Sequence, residues 1–303
     1  SEGRLVHWHK ELTDNQNLKE TVLAVLDELL KGLDSSKVKR LVVSTTLVTN
    51  LFATGQFEPA ALLVIPGPGL KPADLNLPEP YYVITGAVDF RGREIEPLDS
   101  GQVKDAVRKI MALGIKRTAV VGKFSQRYPA HELSAASIIR EMAPDMEVVM
   151  GHQVTGRLNF PRRAATAVYT LAAAPLWRRF VEEFSEAVAA RGIKADVQVM
   201  KADGGTMGMT ASLKDPCQAI FTGPAASTMG AAALTMDELT SVVVDIGGTT
   251  SDLSLILGGK PLHAYRGARI NNRYTHIKAL SVRSIPLGGD SVVRMEDGQL
   301  VLG

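Results

Sequence analysis

The chain has 303 residues, 45% of them hydrophobic, and its 34 basic and 32 acidic side chains leave a net charge of +2. Mixed charges without a basic run, and an aromatic content of only 5%, argue against a nucleic-acid-binding surface or a base-stacking platform. The one cysteine, Cys217, excludes an intramolecular disulfide framework and a cysteine-built zinc cluster and fits a cytoplasmic protein. No apolar run approaches the roughly 20 residues of a membrane span, and the first residues do not read as a signal or transit peptide.

In chain order, residues 4–11 alternate like a strand, with His7 and His9 on one face around Trp8. Residues 17–31 carry apolar side chains at the 3.6-residue spacing of an amphipathic helix. Short apolar strands are predicted at 40–46 and 61–65, the second ended by Pro-Gly-Pro-Gly. A helix at 103–113, a strand at 117–122, a helix at 130–141 and a strand at 146–150 continue the rhythm. Alternating strands and helices predict a mainly parallel sheet covered by helices. Pro161 opens a long helix to about residue 191, which Pro175 is expected to bend or break. A second α/β half follows, with a strand at 195–200, a small-residue helix at 225–234 and a hairpin at 241–257. The boundary between lobes of residues 1–160 and 161–303 is placed at Phe160.

The hairpin carries the most information. An apolar β-branched strand ends at Asp245, passes through Gly247, Gly248, Thr249 and Thr250, and re-enters a strand at Asp252. Glycine lets an anion approach the main chain without a Cβ in the way, and successive amides form an anion-binding concavity. The two threonine hydroxyls suit phosphate oxygens, while Asp245 and Asp252, repelled by phosphate, suit Mg²⁺ held through waters or the orientation of an attacking water. A plain Gly-Gly hairpin turn is the bland alternative.

Other loops have related chemistry. Thr45, Thr46 and Asn50 follow a strand at the end where open α/β sheets bind ligands; capping of a helix or turn explains them equally well. Asp203, Gly204 and Gly205 repeat the strand–Asp–Gly–Gly theme, so this loop and the Asp245 loop are expected to face each other across a cleft. Gly223, followed by Pro224, fits a helix N-terminus, which attracts anions. Gly288 and Gly289 form a weak glycine loop. His131, at a helix start beside Glu132, and His152, at a strand end, suit Zn²⁺ or Mn²⁺ if they share a site; local packing is the alternative. Asp89 and Asp99 are unplaced carboxylates, and Cys217 reads as a small buried side chain.

Taken in order, Ser44 to Asn50, Arg91 to Asp99, His131-Glu132, Gly151-His152, Asp203-Gly-Gly205, Gly223-Pro-Ala225, Asp245-Ile-Gly-Gly-Thr-Thr-Ser-Asp252 and Gly288-Gly289-Asp-Ser291 resemble the hydantoinase A/oxoprolinase family over nearly the whole chain. The resemblance implies a two-lobed α/β fold similar to actin, sugar kinases and heat-shock ATPases, closing over ATP and Mg²⁺. It also implies ATP-dependent opening of a cyclic amide such as 5-oxoproline or a hydantoin, completed by a second, hydantoinase B-type subunit. Three departures stand out. Asp203 takes the place of an asparagine, Gln153 that of a glutamate, and Asp290 adds a charge to the last glycine loop. The family's first phosphate hairpin is expected ahead of Ser1, and a further Gly-Pro-rich segment after Gly303. A nucleotide-responsive module without catalysis, a small-molecule kinase and an ATP-dependent carboxylase subunit are the competing readings; a homo-oligomer stays open.

Overall fold

The computed structural model describes residues 5–11, 18–235, 238–248, 250–296 and 298–302. Its elements run, in chain order, α1 (Leu18–Leu30), β1 (Arg40–Val43), α2 (Leu47–Thr54), β2 (Ala61–Ile65), β3 (Tyr81–Val83), β4 (Ala87–Val88) and β5 (Glu94–Glu96). Next come α3 (Ser100–Ala112), β6 (Arg117–Gly122), α4 (Ala130–Met142), β7 (Glu147–Met150), α5 (Gly151–Val154) and α6 (Phe160–Ala190). The remainder is β8 (Asp196–Met200), β9 (Thr206–Gly208), α7 (Thr222–Thr235), β10 (Ser241–Ile246), β11 (Ser251–Leu257), β12 (Lys260–Pro261), β13 (Arg269–Ile270), β14 (Arg273–Tyr274), β15 (Val282–Ile285), β16 (Val293–Glu296) and β17 (Gln299–Leu302).

Strands β3, β2, β6 and β7 form a parallel sheet in that order. β2 is buried along its whole length, as a parallel strand with helices on both faces must be. Leu63 and Ile65 point into a core with Val103, Val107 and Ile110 of α3 and Ile139 of α4. Leu62 and Val64 point the other way, against Ala164, Ala167, Val168 and Leu171 of α6. Asp99 caps α3 by accepting the Gln102 amide at 3.0 Å, which gives that unplaced carboxylate a structural role. Asp89 takes the Arg91 and Arg93 amides at 2.8 Å and so organises the turn before β5.

Helix α6 is the central beam, 31 residues long and continuous through Pro175. Of the bend or break expected there, the break does not occur. The proline removes one backbone donor, but packing of Trp177, Phe180 and Phe184 beyond it holds the helix on course. Residues 163–173 of α6 are buried on all sides, the pattern of a helix between two cores. Its second core includes Val43 of β1, Val199 of β8 and Leu51 and Phe52 of α2. There β1 pairs in parallel with β8 and β8 antiparallel with β9, so residues 40–43 and 196–199 share a sheet. Phe160, where the sequence reading places the lobe boundary, is the first residue of α6, and the β1–β8 pairing joins residues from either side of it. Residues 5–11 form no strand. They alternate, but Leu5, Val6 and Trp8 are more than two-thirds exposed; with no partner strand among the described residues, alternation alone does not make a sheet. No helix among the described residues is long and apolar enough to cross a membrane.

Candidate functional site

β10 and β11 pair antiparallel in the register Val243↔Ser254, Asp245↔Asp252 and Ile246↔Ser251. Directly opposed residues share a face, so both aspartates project on the side that α7 covers. Asp245 accepts a hydrogen bond from the Ser227 hydroxyl of α7, and Asp252 accepts one from Ser284 on β15. Thr228 and Ser254 share a buried hydroxyl contact at 2.7 Å. The Gly247 amide closes the turn onto the Thr250 carbonyl at 2.9 Å. Thr249 lies outside the described residues. The Gly248 and Thr250 amides donate to no acceptor among the described residues.

The loop of residues 287–291 docks on this tip. Gly289 and Asp290 donate their amides to the Gly247 and Gly248 carbonyls at 2.8 and 2.7 Å, and Ser251 donates its hydroxyl to Leu287 O at 2.6 Å. A Cβ on Gly288 would strike the Gly247 and Gly248 backbone, and one on Gly248 would strike the Asp290 carboxylate. Only glycine permits so close an approach. The Gly-Gly pairs, 40 residues apart in sequence, thus build one cradle of main chain. Asp290 stands at its rim, a negative charge where an anion would seat.

Residues 44–50 meet the start of α7. The Thr222 hydroxyl donates to Thr45 O at 2.8 Å and accepts the Thr45 amide at 3.2 Å. Thr49 accepts the Phe221 amide at 2.9 Å. Thr45 is buried and its hydroxyl takes the Leu47 amide. Thr46 sits at the start of α2, 3.8 Å from where a Cβ on Gly223 would lie, with the Asn50 amide 3.4 Å from its hydroxyl. These residues therefore latch the β1–α2 loop to α7, which brings Thr46 and Gly223 together.

Asp203 is held within its own loop, accepting the Gly205 amide at 3.0 Å and pairing with Lys201 at 3.1 Å. It does not face the Asp245 loop across an open cleft. A Cβ on Gly204 would lie 2.6 Å from the Met229 sulfur, while Asp245 engages Ser227. Two residues apart on a helix lie on nearly opposite faces, so α7 stands between the two loops. Asp203 instead lines a cavity of about 410 Å³ with Lys201, Asp215, His276 and Lys278. Burial raises the Asp215 carboxyl above its usual range, against the lowering effects of Gln218 and Lys201.

His131 and His152 do not share a ligand set. His131 lies 2.6 Å from Glu94 through Nε2, whereas His152 contacts Glu132 through Nδ1 at 2.5 Å and through its amide at 2.9 Å. Glu132 is fully buried at the end of β6, where its other oxygen accepts the Gly122 amide at 2.7 Å. No group of three or more His, Cys, Asp or Glu among the described residues is placed to hold a metal, so the Zn²⁺ or Mn²⁺ expectation at these histidines lacks its donors. Sequence reading passed over Glu132 as a site in its own right; its only signal was its place beside His131 before an apolar helix. Cys217 is fully buried, as anticipated, and its thiol is pushed well above the usual range by burial.

The glycine cradle and the paired aspartates stand on an α/β scaffold of the actin and sugar-kinase-like fold class. Two solved structures share the fold. Acetone carboxylase in its nucleotide-free form superposes with a TM-score of 0.81 at 20% identity, over 97% of this chain and 46% of that one. The ATP-dependent caprolactamase from Pseudomonas jessenii gives 0.75 at 21% identity, over 96% and 46%. The hydantoinase/oxoprolinase profile matches residues 163–303, and the hydantoinase/oxoprolinase N-terminal region matches residues 1–143. The chain belongs to the hydantoinase/oxoprolinase family. Caprolactamase subunit alpha of Pseudomonas jessenii is 25% identical over 225 residues, 73% of this chain and 32% of that protein. The 5-oxoprolinase of Saccharomyces cerevisiae is 24% identical over 216 residues, 70% and 16%. The chain therefore spans less than half the length of the relatives it matches.

Proposed function

We propose that this chain forms the nucleotide-handling part of a cytoplasmic ATP-dependent enzyme that opens a cyclic amide of the 5-oxoproline or hydantoin type. The docking of the Gly288–Gly289 loop onto the Asp245–Asp252 hairpin carries the reading. It joins main-chain amides, hydroxyls and two carboxylates on one rigid pair of strands. The donor set fits ATP with Mg²⁺: hard carboxylate oxygens suit Mg²⁺ through its waters, and glycine-lined amides suit phosphate. Bound ATP supplies a phosphoryl group that turns an amide carbonyl oxygen into a leaving group.

The residues of the chain position rather than react, as phosphoryl transfer requires. Asp245, oriented by Ser227, holds the ion. Gly247, Gly248, Thr249 and Thr250 bind phosphate oxygens, and Asp252, oriented by Ser284, keeps the paired strand in register with its charge toward the ion. Gly223 and Thr46, at the latch between α2 and α7, hold the β1–α2 loop against the helix whose Ser227 orients Asp245. A second, hydantoinase B-type subunit supplies the group that attacks the activated amide. Caprolactamase, a relative by sequence and by fold, is named for a lactam, which favours ring opening. Acetone carboxylase shares the fold most fully of the two structures compared, and ketone carboxylation is the second reading.

The complete protein with its partner subunit is expected to release phosphate when given lactams, in step with ring opening. Asp245→Ala is expected to abolish that release while leaving the melting temperature within a few degrees of wild type. Undiminished turnover in Asp245→Ala rejects the assigned role, and bicarbonate-dependent phosphate release with a ketone replaces the amide reading by carboxylation.

A further inference from the structure

On the side of α6 where residues 263–279 pack lies a cavity of about 300 Å³ whose lining, among the described residues, includes Arg157, Arg162, Arg266, Lys278 and His263 and no carboxylate. Two further cavities adjoin it. One of about 540 Å³ shares Arg162, Tyr265 and Arg266; the other, of about 410 Å³, shares Arg157 and Lys278. Of the acids in the latter, Asp203 is paired with Lys201 and Asp215 accepts from the Gln218 side chain. None of Arg157, Arg162, Arg266, Arg269 or Lys278 forms an ion pair among the described residues.

The cations are gathered rather than scattered. The guanidinium carbons of Arg162, Arg266 and Arg269 lie 5.8, 5.5 and 5.7 Å from the ring centre of Tyr274. One aromatic ring attracts each cation weakly, but three like charges around it repel one another. An anion among them removes that repulsion. Burial first, with Arg163, Arg162 and Arg157 adding to it, holds the His276 imidazole below the usual histidine range despite the opposing Asn159 carbonyl; the local field is positive.

The backbone beneath the cations is fixed. Asn271 and Asn272, both at positive φ (45° and 63°), turn β13 into β14, and this sets Arg269 directly opposite Tyr274. Gly267, at φ 75°, lies so close under the following segment that a Cβ would sit 2.6 Å from Thr275 O and 2.7 Å from Ile277 O, which fixes the turn that carries Arg266. Asn159 caps α6 by accepting the Arg162 amide at 3.2 Å, and Arg163 ties down Arg157 O at 2.9 Å. Planar guanidinium forks on a preset frame match phosphate oxygens two at a time.

We propose that this carboxylate-free cavity is a second anion site, separate from the hairpin cradle, that takes an oligophosphate, either free or as the tail of a nucleotide. Calorimetry on the full-length protein at about 50 mM salt, where screening is weak, is the test, with inorganic triphosphate as the probe. Without added Mg²⁺, the ion assigned to the cradle, one-to-one binding is expected, weakened on the order of tenfold or more in Arg266→Glu/Lys278→Glu, since charge-assisted hydrogen bonds are the strong ones. Arg266→Gln, milder in its effect on folding, is expected to weaken it in the same direction. Asp245→Ala is expected to leave triphosphate binding intact, which separates this site from the cradle. Competition of ATP with triphosphate in Asp245→Ala identifies a nucleotide tail as the source; ATP that fails to compete identifies free oligophosphate. Absence of triphosphate uptake by the wild type, equal uptake by the charge-reversed variant, or equal uptake of citrate overturns the proposal.

Discussion

The two principal sheets of this chain are built on opposite terms. In the parallel sheet β3–β2–β6–β7, the central strand β2 is covered on both faces by apolar side chains, α3 and α4 on one side and α6 on the other. Among the described residues, the sheet of β10, β11, β12 and β15 is covered on one face, by α7, and the contact is made largely through hydroxyls: Ser227 to Asp245 and Thr228 to Ser254. Its other face shows Val242, Val244 and Ile246 at 62, 53 and 68% exposure. The first sheet is a foundation whose stability comes from burial. The second holds Asp245 and Asp252 in place through polar contacts, and under the proposed function such lower local stability is what a sheet that accepts and releases a ligand draws on.

The largest effect is expected where the foundation itself carries a charge. Glu132, fully buried at the end of β6, is satisfied by the Gly122 amide and by His152. Its removal takes the acceptor from the Gly122 and His152 amides and the His152 ring, and a hydrogen bond to a charged group is worth about 1.5–3 kcal/mol. Glu132→Ala is therefore expected to lower unfolding free energy by that amount in urea titrations. A loss below about 1 kcal/mol, the range of exposed pairs, breaks the view of this sheet as rigid to its ends.

Val64→Thr comes next. Val64 is fully buried against α6, and threonine has nearly the same shape, so the substitution adds a hydroxyl with no partner. A buried unsatisfied polar group costs about 1–3 kcal/mol, to be read from the same titration. A neutral outcome would mean that the α6 side of the sheet admits water.

How much of this contrast could be read from the residues depends on the length over which a pattern repeats. The apolar run of β2, the helices α3 and α6, and the hairpin through Asp245 and Asp252 are long enough to show their period, and each lies where expected. Two-residue strands such as β4, β13 and β14 have no period to show. The strand anticipated at residues 4–11 failed for the converse reason, since a pattern needs a neighbour to pair with. Asp203 and Asp245 carry the same local motif, yet α7 separates them, and nothing in either motif reports the helix between. The histidines were visible, but the burial of Glu132 was not, because one carboxylate beside an apolar helix looks like any surface acid. The cationic cavity joins residues near 160 with residues near 270; only the fold makes them neighbours.

The smallest effect sharpens the comparison most, because it uses the same substitution on the other sheet. Val244 lies on β10 opposite Leu253, on the face that α7 does not cover, and is 53% exposed. Val244→Thr keeps the branched shape that strands favour and places the new hydroxyl in water, where it already has partners. The change in unfolding free energy is expected to stay within about 0.5 kcal/mol, as for surface positions generally. The ratio of the two valine-to-threonine costs, measured in one protein under one set of conditions, cancels errors common to both extrapolations. Equal costs at Val64 and Val244 would mean that the outer face of the hairpin sheet is buried in the working protein, and the two sheets would then no longer differ in kind.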